Sequence, residues 1–290
     1  MKFTRLETTR CMVGEGPVWD EAEQALYFID IVGAMVHRYD WRTAQTRSWK
    51  VPGVIGSMAL RKRGGAIVAL VDGVHALDFD TGEVTPLAIA TDRHPRAQFN
   101  DGKVDRRGRF LVGSTDSSLT DTQPYGNIYR LDADHILSMI DTGIHISNGP
   151  CWSPDNKTFY FSDSLVHAIY AYDYDIETGE VANRRLFAET KELGGIPDGA
   201  TVDADGLMWM AICEGRKIVA FRPDGKVERI VETPMNLPAS VMFGGPDLDL
   251  LFVTSIDPTL LKRAGEEGGG HSFVIEGLGA RGIAEPRYAG

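Results

Sequence analysis

The chain has 290 residues, 43% of them hydrophobic, which is enough apolar material for a substantial core built as one large domain or two ordinary ones. Its 30 Lys and Arg stand against 41 Asp and Glu, a net charge of -11 that argues against nucleic acid or an anionic membrane as partner. The N-terminus MKFTRLETTRCMVGEG carries no apolar stretch behind its charges and no run approaches membrane-span length, so a cytoplasmic protein is expected.

In chain order, strand-length runs occur at ALYFIDI (25–31), AIVALV (66–71), RFLVGS (109–114), TFYFSDS (158–164), LMWMAI (207–212) and LLFVTSI (250–256). They are rich in aromatic and β-branched residues, and helical periodicity is weak throughout. The 32 Gly and 14 Pro make up about one residue in six, well above ordinary usage, as many tight turns require. The fold class predicted is therefore all-β.

The runs recur inside a larger unit, which aligns on Glu15, Gly56, Asn100, Asn148, Asp198 and Ser240 at spacings of 41, 44, 48, 50 and 42 residues. Repeats of this size with four short strands are propeller blades. The prediction is a single domain, residues 1–290, forming a six-bladed β-propeller with four antiparallel strands per blade. Third strands are visible as VHRYD, VHALDFD, NIYRLD, AIYAYDYD and KIVAFRPDG, whereas the sixth unit is irregular around RAGEEGGG (263–270). Residues 2–9 are expected to supply the outer strand of the last blade, closing the ring and removing a free sheet edge.

The first strand of a propeller blade lines the central channel. Glu15, Asn100, Asn148 and Asp198 should therefore converge from four blades. Two carboxylates in a narrow channel repel each other and resist desolvation unless a cation lies between them. Their oxygen donors suit one divalent ion among Ca²⁺, Mg²⁺, Mn²⁺, Zn²⁺ and Fe²⁺. The bland alternative is that polar residues at strand starts satisfy backbone groups, although turn duty alone does not require alignment across blades.

Other motifs carry little. GLGARG (277–282) matches a dinucleotide fingerprint but leaves no room for a helix and second strand, and DYDIET (173–178) is expected to be a blade hairpin. Cys11, Cys151 and Cys213 are three and far apart, as buried thiols would be. His94 and His145 lie near channel positions, but surface or hydrogen-bonded core roles suit them better.

GEGPVWD (14–20), FNDGKVDRRGRF (99–110), ISNGPCWSPDNKTFYFSDS (146–164), IPDGATVDADGLMW (196–209) and FGGPDLDLLFVTS (243–255) together resemble the gluconolactonase and regucalcin family of sugar lactonases. The resemblance implies a six-bladed propeller that hydrolyses aldonolactones with one divalent metal held by Glu15, Asn148 and Asp198. Asp198 would also be the catalytic base, and Asn100, Asp101 and Gln98 would face a small-molecule sugar lactone in a monomer or weak dimer. The family often carries Arg where this chain has Gln98; Arg96 is displaced by two residues, about 7 Å along a strand. Residues 118–126 form a candidate loop over the mouth. A propeller hydrolase of the phosphotriesterase or arylesterase kind and a non-enzymatic calcium-binding propeller are the competing readings.

Overall fold

The computed structural model describes residues 1–117, 123–265 and 268–290, and it is all β apart from three short 3-10 segments among those residues. Blade 1 consists of Gly14–Asp20, Ala25–Asp30, Met35–Asp40 and Thr46–Lys50, and blade 2 of Ile55–Leu60, Ala66–Leu70, Gly73–Leu77 and Val84–Ile89. Blade 3 runs through Ala97–Val104, Phe110–Asp116, Gly126–Leu131 and Leu137–Ile144. Blade 4 comprises Ser147–Trp152, Thr158–Asp163, Ala168–Asp175 and Glu180–Glu189, and blade 5 Ile196–Val202, Met208–Cys213, Lys217–Phe221 and Val227–Glu232. Blade 6 takes Pro238–Gly244, Leu250–Ser255 and Phe273–Glu276, then borrows Lys2–Arg5 as its outer strand. No helix among the described residues is long and apolar enough to cross a membrane.

The closing strand is shorter than residues 2–9. It pairs from Lys2 opposite Glu276 to Arg5 opposite Phe273 and stops there, because its partner strand has only those four residues. Beyond it, the Leu6 and Cys11 amides still donate to Ser272 and Gly270 carbonyls at 2.9 and 2.8 Å. The 173–178 segment forms the hairpin between the third and fourth strands of blade 4, as expected.

First strands are buried along nearly their whole length, outer strands are largely exposed, and each first strand packs against those of the neighbouring blades. The apolar core lies between blades rather than on the axis. Tyr27, Ile29, Trp49, Met58 and Val68 fill the gap between blades 1 and 2, and Trp209, Val241 and Phe243 that between blades 5 and 6. This leaves the axis free for polar residues.

Part of the acidic excess works in the turns. Asp40 Oδ1 accepts the Arg42 and Thr43 amides and the Thr43 hydroxyl, and Asp78 Oδ1 accepts the Asp80 and Thr81 amides, both at 2.8 Å. These hydrogen bonds hold both carboxyls below their ordinary range.

Every first strand contains one register shift against its neighbour; Gly56, Asn100 and Asp198 lie inside theirs, and Glu15, Asn148 and Ser240 are the paired residues at the edge of theirs. A bulge re-aims a side chain out of the regular pleat. The repeat positions aligned in the sequence therefore lie in or directly beside the bulges of the first strands. At Gly56 the neighbouring strand approaches so closely that a Cβ would lie 2.3 Å from the Phe99 carbonyl oxygen. Gly56→Ala is expected to lower stability by about 1–3 kcal/mol, seen by calorimetry as a lower melting temperature. An unchanged melting temperature would contradict this approach of blades 2 and 3.

Candidate metal centre

Glu15, Asn148 and Asp198 sit near the starts of their strands in blades 1, 4 and 5, and each is buried, with 6% of its surface exposed. Two local features bring them there. Gly16 and Gly149, directly after Glu15 and Asn148, take φ of +52° and +59°, the left-handed conformation that glycine adopts without strain. Gly149 must also lack a side chain, since a Cβ would lie 2.8 Å from the Asp198 carbonyl oxygen.

Glu15 and Asp198 are buried carboxyl groups near enough for each to influence the protonation of the other. Burial pushes Glu15 up to about 8, with the negative charge of Asp101 adding to it, while the Gly16 amide at 2.8 Å and the nearby Asp198 carboxyl partly offset it. Asp198 is raised well above the carboxylate range, first by burial and then by Glu15 and Asp101. The site therefore favours a positive species between these groups.

Asn148 is fixed on both sides. Its Nδ2 donates to Ser164 Oγ at 2.9 Å, and Ser164 Oγ donates to the Pro197 carbonyl at 2.6 Å, beside Asp198. Its Oδ1 accepts Asn100 Nδ2 at 2.9 Å, while Asn100 Nδ2 also donates to the Ser147 carbonyl at 2.7 Å. With the amide protons of Asn100 so used, its carbonyl oxygen is what it can offer a ligand.

Asp101 is 7% exposed, and both its oxygens accept main-chain amides, from Gly102 at 2.8 Å and Gly149 at 2.9 Å. It thus braces the backbone next to Asn148. Gln98 is half-buried opposite Thr115. Arg96 precedes the strand and is bound to Asp116 at 3.0 Å with Tyr125 beneath its guanidinium. His94 stacks on the same Tyr125 at 3.9 Å, and His145 Nδ1 meets Asp163 at 2.8 Å. The mouth segment 118–126 lies outside the described residues from 118 to 122.

Sequence reading missed Ser164, Lys103 and Cys213. Ser164 and Cys213 reach the centre from second strands or the turns after them, and burial, then the charges of Asp198 and Glu15, raise the Cys213 thiol. Lys103 left one legible trace, as a charge inside a strand that is otherwise largely buried.

The donor set fits a hard or borderline divalent cation: two buried carboxyl groups whose ionisation a cation would favour, plus an amide oxygen whose side chain is held by its Nδ2 bond. Among the described residues no group of three or more His, Cys, Asp or Glu could hold a metal.

Residues 13–257 match the family described as SMP-30/Gluconolactonase/LRE-like region. Regucalcin of Xenopus laevis is 39% identical over 286 residues, covering 96% of this chain and 95% of the relative. Among solved structures, a luciferin-regenerating enzyme is 29% identical with a TM-score of 0.93, covering 99% of each chain. A calcium-binding protein, regucalcin, from Agrobacterium tumefaciens is 25% identical with a TM-score of 0.89, covering 98% of this chain and 96% of that one. The six-bladed ring, its bulge-borne acids and amides, and these full-length likenesses place the chain in the SMP-30/gluconolactonase/LRE-like family.

Proposed function

We propose that the protein hydrolyses a sugar lactone to the corresponding aldonic acid, using one divalent cation held by Glu15, Asn148 and Asp198. The observation that carries this reading is the buried pair Glu15 and Asp198, both raised above the carboxylate range by burial beside the first-strand bulges of blades 1 and 5. Such a pair is costly to bury for structural purposes alone.

A cation bound there supplies Lewis-acid polarisation of the ester carbonyl and compensates charge that develops on its oxygen. The residues of the chain do the rest. Asn100 offers its carbonyl oxygen to a sugar hydroxyl, and half-buried Gln98, two residues before it on the strand, offers an amide at the same wall. Asp198 takes a proton from the attacking water, the new C–O bond forms, and the ring oxygen leaves with a proton as the hydroxyl of the opened acid. Asp101 accepts two main-chain amides and positions the Asn148 turn.

A hydrolase has a direct test. After chelation, pentono- and hexonolactones are offered with Ca²⁺, Mg²⁺, Mn²⁺, Zn²⁺ or Fe²⁺, and acid release is followed with a pH indicator. Opening of at least one lactone faster than in buffer alone is the expected result. Metal binding with no turnover of any lactone would favour a calcium-binding protein, the reading suggested by the Agrobacterium tumefaciens relative.

A further inference from the structure

We propose that Lys103 is a positioning residue of the metal centre. Its buried ammonium ties the Asn100–Asp101 bulge of blade 3 to the Asp198 strand of blade 5, and the C-terminal segment holds that ammonium through Glu285. The proposal rests on the metal-centre reading given above.

Lys103 lies two residues past Asp101 on Ala97–Val104, and its side chain is 12% exposed. Its Nζ donates to the Ala200 carbonyl at 2.8 Å. Ala200 belongs to blade 5, two residues past Asp198, so the side chain crosses the channel and bypasses blade 4. An ammonium on a flexible stem leaves water only where acids compensate its charge. Glu285 Oε1 lies 3.9 Å away with its side chain 11% exposed. Asp101 is the second compensating acid, and the Lys103 charge partly offsets the rise that burial imposes on it.

The tail is held where it can deliver Glu285. Its main chain bonds Ala204 through Arg281, Leu248 through Gly282, Leu60 and Lys62 through Tyr288, and Gly108 through Ala289. Arg106 donates to the Ala284 carbonyl at 2.8 Å, and Arg287 pairs with Asp20. Apart from Asp20, Leu60 and Arg106, which close or closely follow first strands, these partners lie in the turns after them. The tail thus spans the face opposite the strand starts that carry Glu15, Asn148 and Asp198. From that side, Glu285 sets Lys103, Lys103 sets the spacing between blades 3 and 5, and that spacing sets the distance of Asp198 from Asn148.

The test uses the full chain and calorimetric titration with Mn²⁺ and Ca²⁺. Lys103→Met is expected to weaken metal binding by about tenfold or more, and Glu285→Gln by a smaller factor in the same direction. Tyr288→Phe is the control. It removes the tail's hydroxyl bond to the Asp132 carbonyl, away from Lys103, and is expected to lower the melting temperature without changing metal affinity. Should Lys103→Met fail to fold, Glu285→Gln carries the test. Wild-type affinity in both Lys103→Met and Glu285→Gln, or an equal loss in Tyr288→Phe, overturns the proposal. A wild-type protein that binds neither ion overturns the metal-centre reading itself, which separates the two failures.

Discussion

Asp198→Asn is expected to lower lactone hydrolysis by roughly 10³-fold or more while leaving the circular dichroism spectrum unchanged. The substitution keeps the shape and removes both the charge that holds a cation and the atom that accepts a proton. Asn148 and Asn100 are neutral, so Glu15 would remain as the only carboxylate directed at the cation. Stability should move the other way. Asp198 is buried against Glu15 and Asp101, and removing one of three neighbouring acids relieves repulsion. In chelator-treated protein at pH 8, Asp198→Asn is thus expected to melt higher than wild type. Activity within tenfold of wild type would remove Asp198 from the reaction, and a lower melting point would make it a stabilising acid instead.

Chelator-treated wild-type protein is expected to lose thermal stability as the pH rises from about 4.5 to about 8. In the unfolded chain Glu15 gives up its proton near 4.5, whereas in the folded protein burial holds that proton until about 8. Within this window the unfolded state binds fewer protons, so stability falls as pH rises. The contribution is fully present below the lower value and lost above the upper one. Asp198 and Asp101, raised by burial, act in the same direction. The turn carboxyls of Asp40 and Asp78 are lowered instead, so their contribution is lost only at more acidic pH, below the ordinary 3.8.

The melting temperature without metal should therefore fall by on the order of 5 °C or more across the window. Saturating Mn²⁺ or Ca²⁺ should recover most of that loss at pH 8 and little of it at pH 5, because a cation binds the ionised pair. Scanning calorimetry at several pH values with and without metal measures both slopes. A flat or rising profile in chelator would contradict a Glu15 carboxyl raised by burial. General repulsion in a chain of net charge -11 also grows with pH, but metal at one site would not reverse it.

Much of the architecture was legible because a propeller repeats. One alignment position per blade, 41 to 50 residues apart, located the six first strands, and all six positions lie in or beside a bulge. The same periodicity carried Glu15, Asn148 and Asp198 to one site. Residues outside the repeated position were harder to see. Ser164 lies after a second strand, yet it joins Asn148 to the Pro197 carbonyl through the meeting of two blades. Asp101 reads as a substrate contact beside Asn100, but its oxygens are turned to main-chain amides of its own blade and the next.

The sequence by itself determined the number of blades, the identity of the channel-facing positions and the presence of two acids among them. Those properties follow from alternation, turn residues and repeat spacing, all of which are local along the chain. Only the tertiary structure decided what surrounds the acids. It turned Asp101 to the backbone, carried Lys103 across to blade 5, brought the tail's Glu285 within 3.9 Å of that ammonium, and ended the closing strand at Arg5. The reason is closure of the ring: it sets residues about 100 or more positions apart within hydrogen-bond or ion-pair reach, and no local pattern records which of them will meet.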